Sequence, residues 1–512
     1  MSESLSNNKR IAKNTIFLYI RMLLIMVVTL YTSRVILATL GIEDFGIINA
    51  VGGIVAMMGF LNSSMANAVQ RFLSFEMGKQ DARKVSTIFN VSLHAHIAIA
   101  IIVFIIMEIG GLWFLNHKMN IPLERMMAAH WVFQSSIIVS IISILQVPYN
   151  ALIMAKEQMN IYAYVSIVEV LLKLGIVYLL VLARSDKLIS YSILTSIVSF
   201  IICITYVIYC KKKYKESKLY FVKDTKSLRQ LMGFASWNML GEIAWILTGQ
   251  GVNILLNIFF GPVVNAARGV AYQVEGAVMK FVHSFQVAMN PQIIKTYAAN
   301  FHEQTMSLVF TGTRFSYYLV LILSMPLYFE IDYVLSIWLK EVPPMTADFC
   351  RLILICGLVQ TCSNLFATVA KAYGKIRNYQ LVISFILMCN FPMSYLMLYL
   401  GFSPLSTVVV AILIQAVVLF ARLLLMKGMI VYSIRDFFRS VLSPLLVVTF
   451  FSIIVPYTIS NTMPIGLSRF LYNLIATELV MVAIIYTLGL RQNERQLVHK
   501  SIVNLKDKYV KG

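Results

Sequence analysis

The chain has 512 residues, of which 59% are hydrophobic and only 13% charged, with a formal net charge of +20. A soluble domain carries about 25% charged residues, so the composition excludes a soluble globular protein. The surplus of cations does not point to a nucleic-acid binder either, because the lysines and arginines follow the loops between apolar runs of about 20 residues.

In chain order, Ser2–Lys13 is polar, and the apolar stretch after it is span-length and lacks an A-x-A-like site. It reads as a retained first helix. Fourteen spans are predicted, at about 14–39, 47–71, 85–115, 125–147, 161–183, 188–210, 234–259, 267–290, 307–330, 349–370, 379–400, 405–426, 440–459 and 468–490. The fold class is therefore an all-α polytopic membrane protein. Span 1 holds Arg21 and Arg34. An arginine at the centre of a membrane helix costs roughly 2.5–3.5 kcal/mol on insertion scales. Such residues face a bundle interior or a watery cavity and mark a substrate or ion path. On a straight helix the two point about 140° apart. Either span 1 bends, or only one of them faces a cleft, and Arg34 has the reach to snorkel to the outer interface.

Polar residues gather on single faces of three spans, each within about 100° of arc. Span 2 carries Asn49, Gly53, Ser63, Ser64, Asn67 and Arg71. Span 7 carries Asn238, Glu242, Gly249, Asn253 and Asn257. In span 8 the stripe is Arg268, Tyr272, Glu275, His283, Gln286 and Asn290. A stripe of small and amide residues serves helix packing as readily as a cavity wall. The charges Glu242, Glu275 and Arg268 point to a cavity. Span 5 adds Glu169 and Lys173, spaced i,i+4 with the acid first, the favourable order for an ion pair. Glu478 in span 14 has no visible partner. The candidate substrate-binding residues are Arg21, Arg34, Arg268, Asn49, Asn67 and Asn253; the candidate ion-coupling residues are Glu242, Glu275, Glu169 and Lys173. Six cysteines form no CxxC pair and no His/Cys cluster, so neither metal nor cofactor is expected.

Most cations lie in alternate loops, which by the positive-inside rule places both termini in the cytoplasm. The Lys-rich stretch 211–233 divides two hydrophobic halves, and the halves repeat weakly. The turn Leu40-Gly41-Ile42-Glu43-Asp44-Phe45-Gly46 before span 2 matches Phe260-Gly261-Pro262-Val263-Val264-Asn265-Ala266 before span 8. Likewise Phe60-Leu61-Asn62-Ser63 matches Phe281-Val282-His283-Ser284, and Ala155-Lys156 with Tyr164 matches Ala370-Lys371 with Tyr379. The expected organisation is a six-helix bundle over 1–210, a basic cytoplasmic linker over 211–233, a second six-helix bundle over 234–426, and two added helices with a cytoplasmic tail over 427–512. Repeats of this kind place a site near the midplane between halves that rock in alternating access.

The segment Ser33-Arg34-Val35-Ile36-Leu37-Ala38-Thr39-Leu40-Gly41-Ile42-Glu43-Asp44-Phe45-Gly46-Ile47 resembles the start of bacterial oligosaccharide flippases, as does Gln70-Arg71-Phe72-Leu73-Ser74-Phe75-Glu76-Met77-Gly78-Lys79. These proteins belong to the multidrug/oligosaccharidyl-lipid/polysaccharide exporter superfamily. The resemblance implies translocation of an undecaprenyl-pyrophosphate-linked oligosaccharide across the inner membrane for O-antigen or capsule. It also implies a cationic central cavity, which would carry over onto Arg21, Arg34 and Arg268, and a lipid-tail groove at spans 13 and 14. Contacts with polysaccharide-assembly enzymes and H+ or Na+ coupling belong to the same expectation. A drug or metabolite antiporter on the same fold is the alternative, with Glu242 and Glu275 handling cations. That branch couples ions through an acid in its first helix, and span 1 here has none. A membrane glycosyltransferase or polymerase, supported only by Glu43-Asp44 in a short loop, is the remote third reading; no enzyme activity is expected.

Overall fold

The computed structural model describes residues 23–78, 81–156, 158–182, 186–222, 224–373, 377–492 and 494–496. Every regular element among them is helical. The chain runs through α1 (Leu23–Leu40), α2 (Ile42–Ala56), α3 (Gly59–Gly78), α4 (Ala82–Lys118), α5 (Leu123–Ala155), α6 (Met159–Leu182) and α7 (Lys187–Lys213). It continues with α8 (Thr225–Ile246), a π turn at Leu247–Gly251, α9 (Val252–Phe260), α10 (Pro262–Ala298) and α11 (His302–Trp338). The remainder is α12 (Thr346–Thr361), α13 (Phe366–Tyr373), α14 (Arg377–Tyr399), α15 (Ser406–Met426), α16 (Ile434–Thr462) and α17 (Leu467–Gly489).

Within the described residues, each of the fourteen predicted spans falls on a helix or a helix pair in this order; positions 14–22 of the first lie outside them. Ten described helices are long and apolar enough to cross a membrane, and α12 with α13, bent by 40°, makes an eleventh. The predicted spans missing from that set are 2, 7 and 8. They are the three with polar stripes, and two of them are also interrupted: span 2 breaks at Met57 and Met58, and span 7 passes through its π turn. The chain is a multi-pass membrane protein.

Helix starts outside the apolar runs carry their own signals. Asp81, Asp186, Asp224 and Ser433 each accept a hydrogen bond from a backbone N–H in the first turn of α4, α7, α8 and α16. The joins between spans 1 and 2 and between spans 7 and 8 are single residues, Gly41 and Gly261, with φ of 86° and 80°. Gly41 N–H donates to Leu37 O at 2.9 Å and Gly261 N–H to Asn257 O at 2.8 Å. Both end a helix with positive φ and extended ψ, 171° at Gly41 and −175° at Gly261, a conformation essentially reserved for glycine. The sequence match at these turns is thus also a match in backbone geometry.

The helices pack into two compact units. The first comprises residues 1–270, 338–346 and 384–410, and its core joins Val51, Met65, Phe89, Phe133 and Leu152 from four helices, α2 to α5. Close backbone approach does much of the work, as it does wherever lipid replaces water around helices. A Cβ at Gly111 would stand 2.7 Å from the Phe133 ring, and one at Gly251 would stand 2.8 Å from that of Phe391. Each glycine ends a π turn. The second unit comprises 271–337, 347–383 and 411–512. In it α10, α11 and α12 share a small core of Val278, Val282, Val320 and Leu354.

Candidate functional site

Three predicted site residues lie outside what the structure describes: Arg21 altogether, and Asn67 and Glu242 in their side chains. The remaining seven can be placed.

Within the first unit, Asn49 and Asn253 come together. Asn253 Nδ2 donates to Asn49 O at 2.8 Å, while Asn49 Nδ2 turns back to Phe45 O at 2.8 Å. Asn265 Nδ2 then donates to Asn253 O and Oδ1 at 2.6 and 2.8 Å. One turn further along α9, Asn257 Oδ1 accepts from Asn120 N–H, in the loop after α4, at 3.0 Å. Asn253, Asn257 and Asn265 are all buried. Polar side chains in this position are spent on helix–helix contact, which an apolar surround makes hard to exchange.

Glycines complete the seam. A Cβ at Gly46 would fall 1.9 Å from Pro262 O, one at Gly269 would fall 2.9 Å from Asn49 Oδ1, and one at Gly53 would meet Gln250 Oε1 at 2.8 Å. Gly46, Asn49 and Gly53 recur at helical spacing on one face of α2. That face therefore lies against α9 and the start of α10, beginning beside the Gly41 and Gly261 turns. The amide stripes predicted on spans 2 and 7 meet each other here.

Arg268 is 5% exposed, immediately before the Gly269 contact. Arg34 is partly exposed and makes no hydrogen bond or ion pair among the described residues. It shares the side of α1 that exposes Val27, Tyr31 and Ala38, while Ser33, Ile36 and Leu37 are buried on the other. Nearby, Trp338 Nε1 donates to Leu30 O at 2.8 Å.

In the second unit, Glu275 on α10 sits against α12: a Cβ at Gly357 would be 4.0 Å from its Oε1. Its carboxylate has no hydrogen-bond or ion-pair partner among the described residues. The expected i,i+4 pair is formed, with Lys173 Nζ donating to Glu169 Oε1 at 2.6 Å and both side chains over a third exposed. The described residues contain no group of three metal-ligating side chains.

Sequence reasoning missed a buried polar cluster in the second unit. Glu330 near the end of α11 is fully buried; it accepts from Arg469 at 3.0 Å and from Asn473 Nδ2 at 2.6 Å. Asn473 also donates to Ser460 Oγ at 3.2 Å and accepts from Thr477. At the far end of the same helix, Arg314 donates to Glu494. A charge at matching depth near the ends of spans 9 and 14 was the available signal. The first unit has a third cluster, with Arg125 donating to both oxygens of Asp44 at 2.8 and 2.6 Å and to Asp186 at 2.6 Å. Hydrogen bonds from Arg125 and from two backbone amides hold Asp186 below the usual carboxylate range against the opposing pull of desolvation.

No family profile and no curated protein matches the sequence. Solved structures do. The lipid II flippase MurJ in an inward closed conformation is similar with a TM-score of 0.66 at 13% identity, over 92% of this chain and 98% of that one. An inward-facing multidrug resistance MATE family transporter of the MOP superfamily has a TM-score of 0.65 at 13% identity, over 80% and 97%. A MOP superfamily transporter from Pyrococcus furiosus, described by a reverse polarity of its binding pocket, has 0.59 at 13% identity, over 81% and 95%. The chain has the fold that flippases and drug exporters of this superfamily share, as the resemblance at Ser33–Ile47 leads one to expect.

Proposed function

We propose that this protein is a transporter that moves a polyprenyl-pyrophosphate-linked oligosaccharide across the inner membrane by alternating access. The observation that carries the proposal is a buried arginine, Arg268, in a span that also contributes to the α2–α10 seam. A pyrophosphate diester carries about two negative charges and accepts bidentate, charge-assisted hydrogen bonds, which suits guanidinium better than ammonium. Arg34 and Arg21 are the further cations assigned to the head group. An interior-negative potential assists outward movement of the anion by about 2.3 kcal/mol per charge per 100 mV. With the termini in the cytoplasm, the Gly41 and Gly261 turns lie outside, so the α2–α9–α10 seam closes the outer end of the path. Its opening is the step that releases the head group.

The test uses purified protein in liposomes, with a fluorescent polyprenyl-pyrophosphate oligosaccharide and protection from an external reagent as the measure of sidedness. Wild type should equilibrate the label across the bilayer. Arg268→Gln removes hydrogen bonds to a charged group, worth about 1.5–3 kcal/mol each, and should weaken binding of the label by roughly 10- to 150-fold while the protein remains inserted. Unchanged binding and flipping in that variant would falsify the head-group assignment.

A second reading rests on Glu275, an acid inside a span with no partner among the described residues. In a cation-coupled drug or metabolite antiporter it would exchange H+ or Na+ for a cationic substrate. In the flippase it would reset the empty cationic cavity. Counterflow of a lipophilic cation in the same liposomes, abolished by Glu275→Gln with no flipping of the pyrophosphate lipid, would select the antiporter.

A further inference from the structure

The basic stretch after span 6 is anchored to the first unit by side chains chosen for the purpose. Asn90 of α4, 1% exposed, donates to Lys218 O at 3.0 Å and accepts from Tyr220 N–H at 3.1 Å. Ser86 Oγ donates to Glu216 O at 3.1 Å, and Ser217 Oγ donates to Cys210 O and Tyr214 O at 2.9 and 2.8 Å. Both acids of the stretch are consumed: Glu216 pairs with Lys156 at 2.7 Å and Asp224 with Lys84 at 3.2 Å. The cations are not. Lys211, Lys212, Lys215, Lys218, Lys226 and Arg229 are exposed and have no ion-pair partner among the described residues.

The strap also exposes apolar side chains, Leu219 at 53% and Phe221 at 79%. Their depth can be read from the neighbouring helices. Phe221 stacks edge-on against His94, with ring centroids 5.4 Å apart. The first large apolar residue that α4 exposes is Ile97, three positions or about 4.5 Å further along, followed by Ile101. On α7 the last exposed apolar residue is Ile208, one turn before Lys211. The strap therefore lies along the edge of the lipid-facing band, with aromatic and apolar side chains toward the acyl chains and unpaired cations at head-group level. Topological charge bias explains the presence of the lysines. It does not require a buried asparagine that fixes their backbone, nor a phenylalanine exposed beside them.

We infer that residues 214–222 form an interfacial strap that seats the head groups of anionic phospholipids. Clustered basic residues next to a span attract anionic lipid, and a preformed backbone avoids the ordering cost of a flexible loop. The inference stands whether or not the transported substrate is the one proposed above.

The test is native mass spectrometry of the full-length protein released from nanodiscs of phosphatidylcholine with about one third phosphatidylglycerol, a bulk composition set on the order of ordinary anionic membranes. Wild type should retain phosphatidylglycerol in several-fold excess over the bulk ratio. Replacing Lys212, Lys215, Lys218 and Lys226 with Gln should bring retention to the bulk ratio, and replacing them with Arg should preserve the excess. Asn90→Ala keeps every charge but unhooks the strap, so it should lose most of the excess and speed hydrogen exchange over 214–222, with thermal midpoints reported for each variant as a fold control. Retention at the bulk ratio in wild type overturns the inference, as does an Asn90→Ala protein that is folded and keeps the full excess. So does equal displacement of both lipids by soluble polyphosphate, which would identify a site for soluble polyanions instead.

Discussion

Gly41 and Gly261 show what one residue contributes. Each reverses the chain between two spans with a φ near +80° and an extended ψ, a conformation that costs an L side chain roughly 1–3 kcal/mol. Space is not the issue at Gly41, where a Cβ would meet nothing within 4 Å. Gly41→Ala should therefore lower stability by about that amount through backbone strain alone. The check is the thermal midpoint in detergent beside Gly175→Ala, a helical glycine with equal space around it, which should be unchanged or stabilised. Asp224 offers a second residue-scale test, in pH. Hydrogen bonds from the Ser227 backbone and hydroxyl, with Lys84 beside it, hold its carboxyl at about 2, below an ordinary value of 3.8. A carboxyl depressed on folding stabilises the protein fully above its unfolded value and loses that contribution as pH falls through the folded one. The contribution from this cap should therefore fade between about pH 4 and 2. Asp224→Ala should cost about 1 kcal/mol at neutral pH and flatten that part of the acid profile.

At the scale of elements, the order of helices was legible and their partners were not. Alternation of apolar runs and basic loops put a described helix or helix pair at each predicted span and placed eleven that are long and apolar enough to cross, because bilayer thickness sets their length. The polar faces of spans 2 and 7 were legible too, since periodicity reports which residues share a side. Periodicity gives a face but no partner. Asn253 looked equally suited to a cavity wall and to packing, and only the fold shows its amide on the Asn49 carbonyl. In sequence the strap at 214–222 reads only as part of a basic cytoplasmic linker, because the residue that holds it, Asn90, lies over a hundred positions away in an apolar helix. The same separation hid Glu330 and Arg469. That pair has consequences for how the added helices α16 and α17 are attached to α11. Removing one partner leaves the other charged and buried, which typically costs 3–5 kcal/mol. Arg469→Met should thus destabilise strongly, whereas Glu330→Gln with Arg469→Met, which removes both charges, should recover much of the loss. Thermal midpoints of the two variants decide it; equal losses would mean that volume rather than charge governs the site.

At the scale of the molecule, what matters for transport is which end of the path is shut. The first unit brings α2 against α9 and the start of α10 by backbone contact at Gly46, not by long side chains that could swing aside. A contact of this kind needs full approach of the two backbones, so a small separation of the helices is enough to lose it. A Cβ at Gly46 would fall 1.9 Å from the Pro262 carbonyl oxygen, well inside any tolerable separation, and the obstructing atom is main chain. Gly46→Val should therefore exclude the closed arrangement without touching Arg268 or Glu275, and shift the population toward a state open at the Gly41 and Gly261 end. The reporter is a cysteine at Ala266, which is fully buried one turn into α10. In an otherwise native background Ala266→Cys should resist a membrane-impermeant thiol reagent, and in the Gly46→Val background it should react while the thermal transition stays cooperative. The native cysteines, all buried or half-buried, set the baseline for labelling. Under the proposed function, flipping should fall in the same variant, since a path that cannot close at one end cannot alternate. Continued protection of the new cysteine in a folded Gly46→Val protein would show that the helices can separate locally to admit a side chain, and the seam would then be packing rather than a gate.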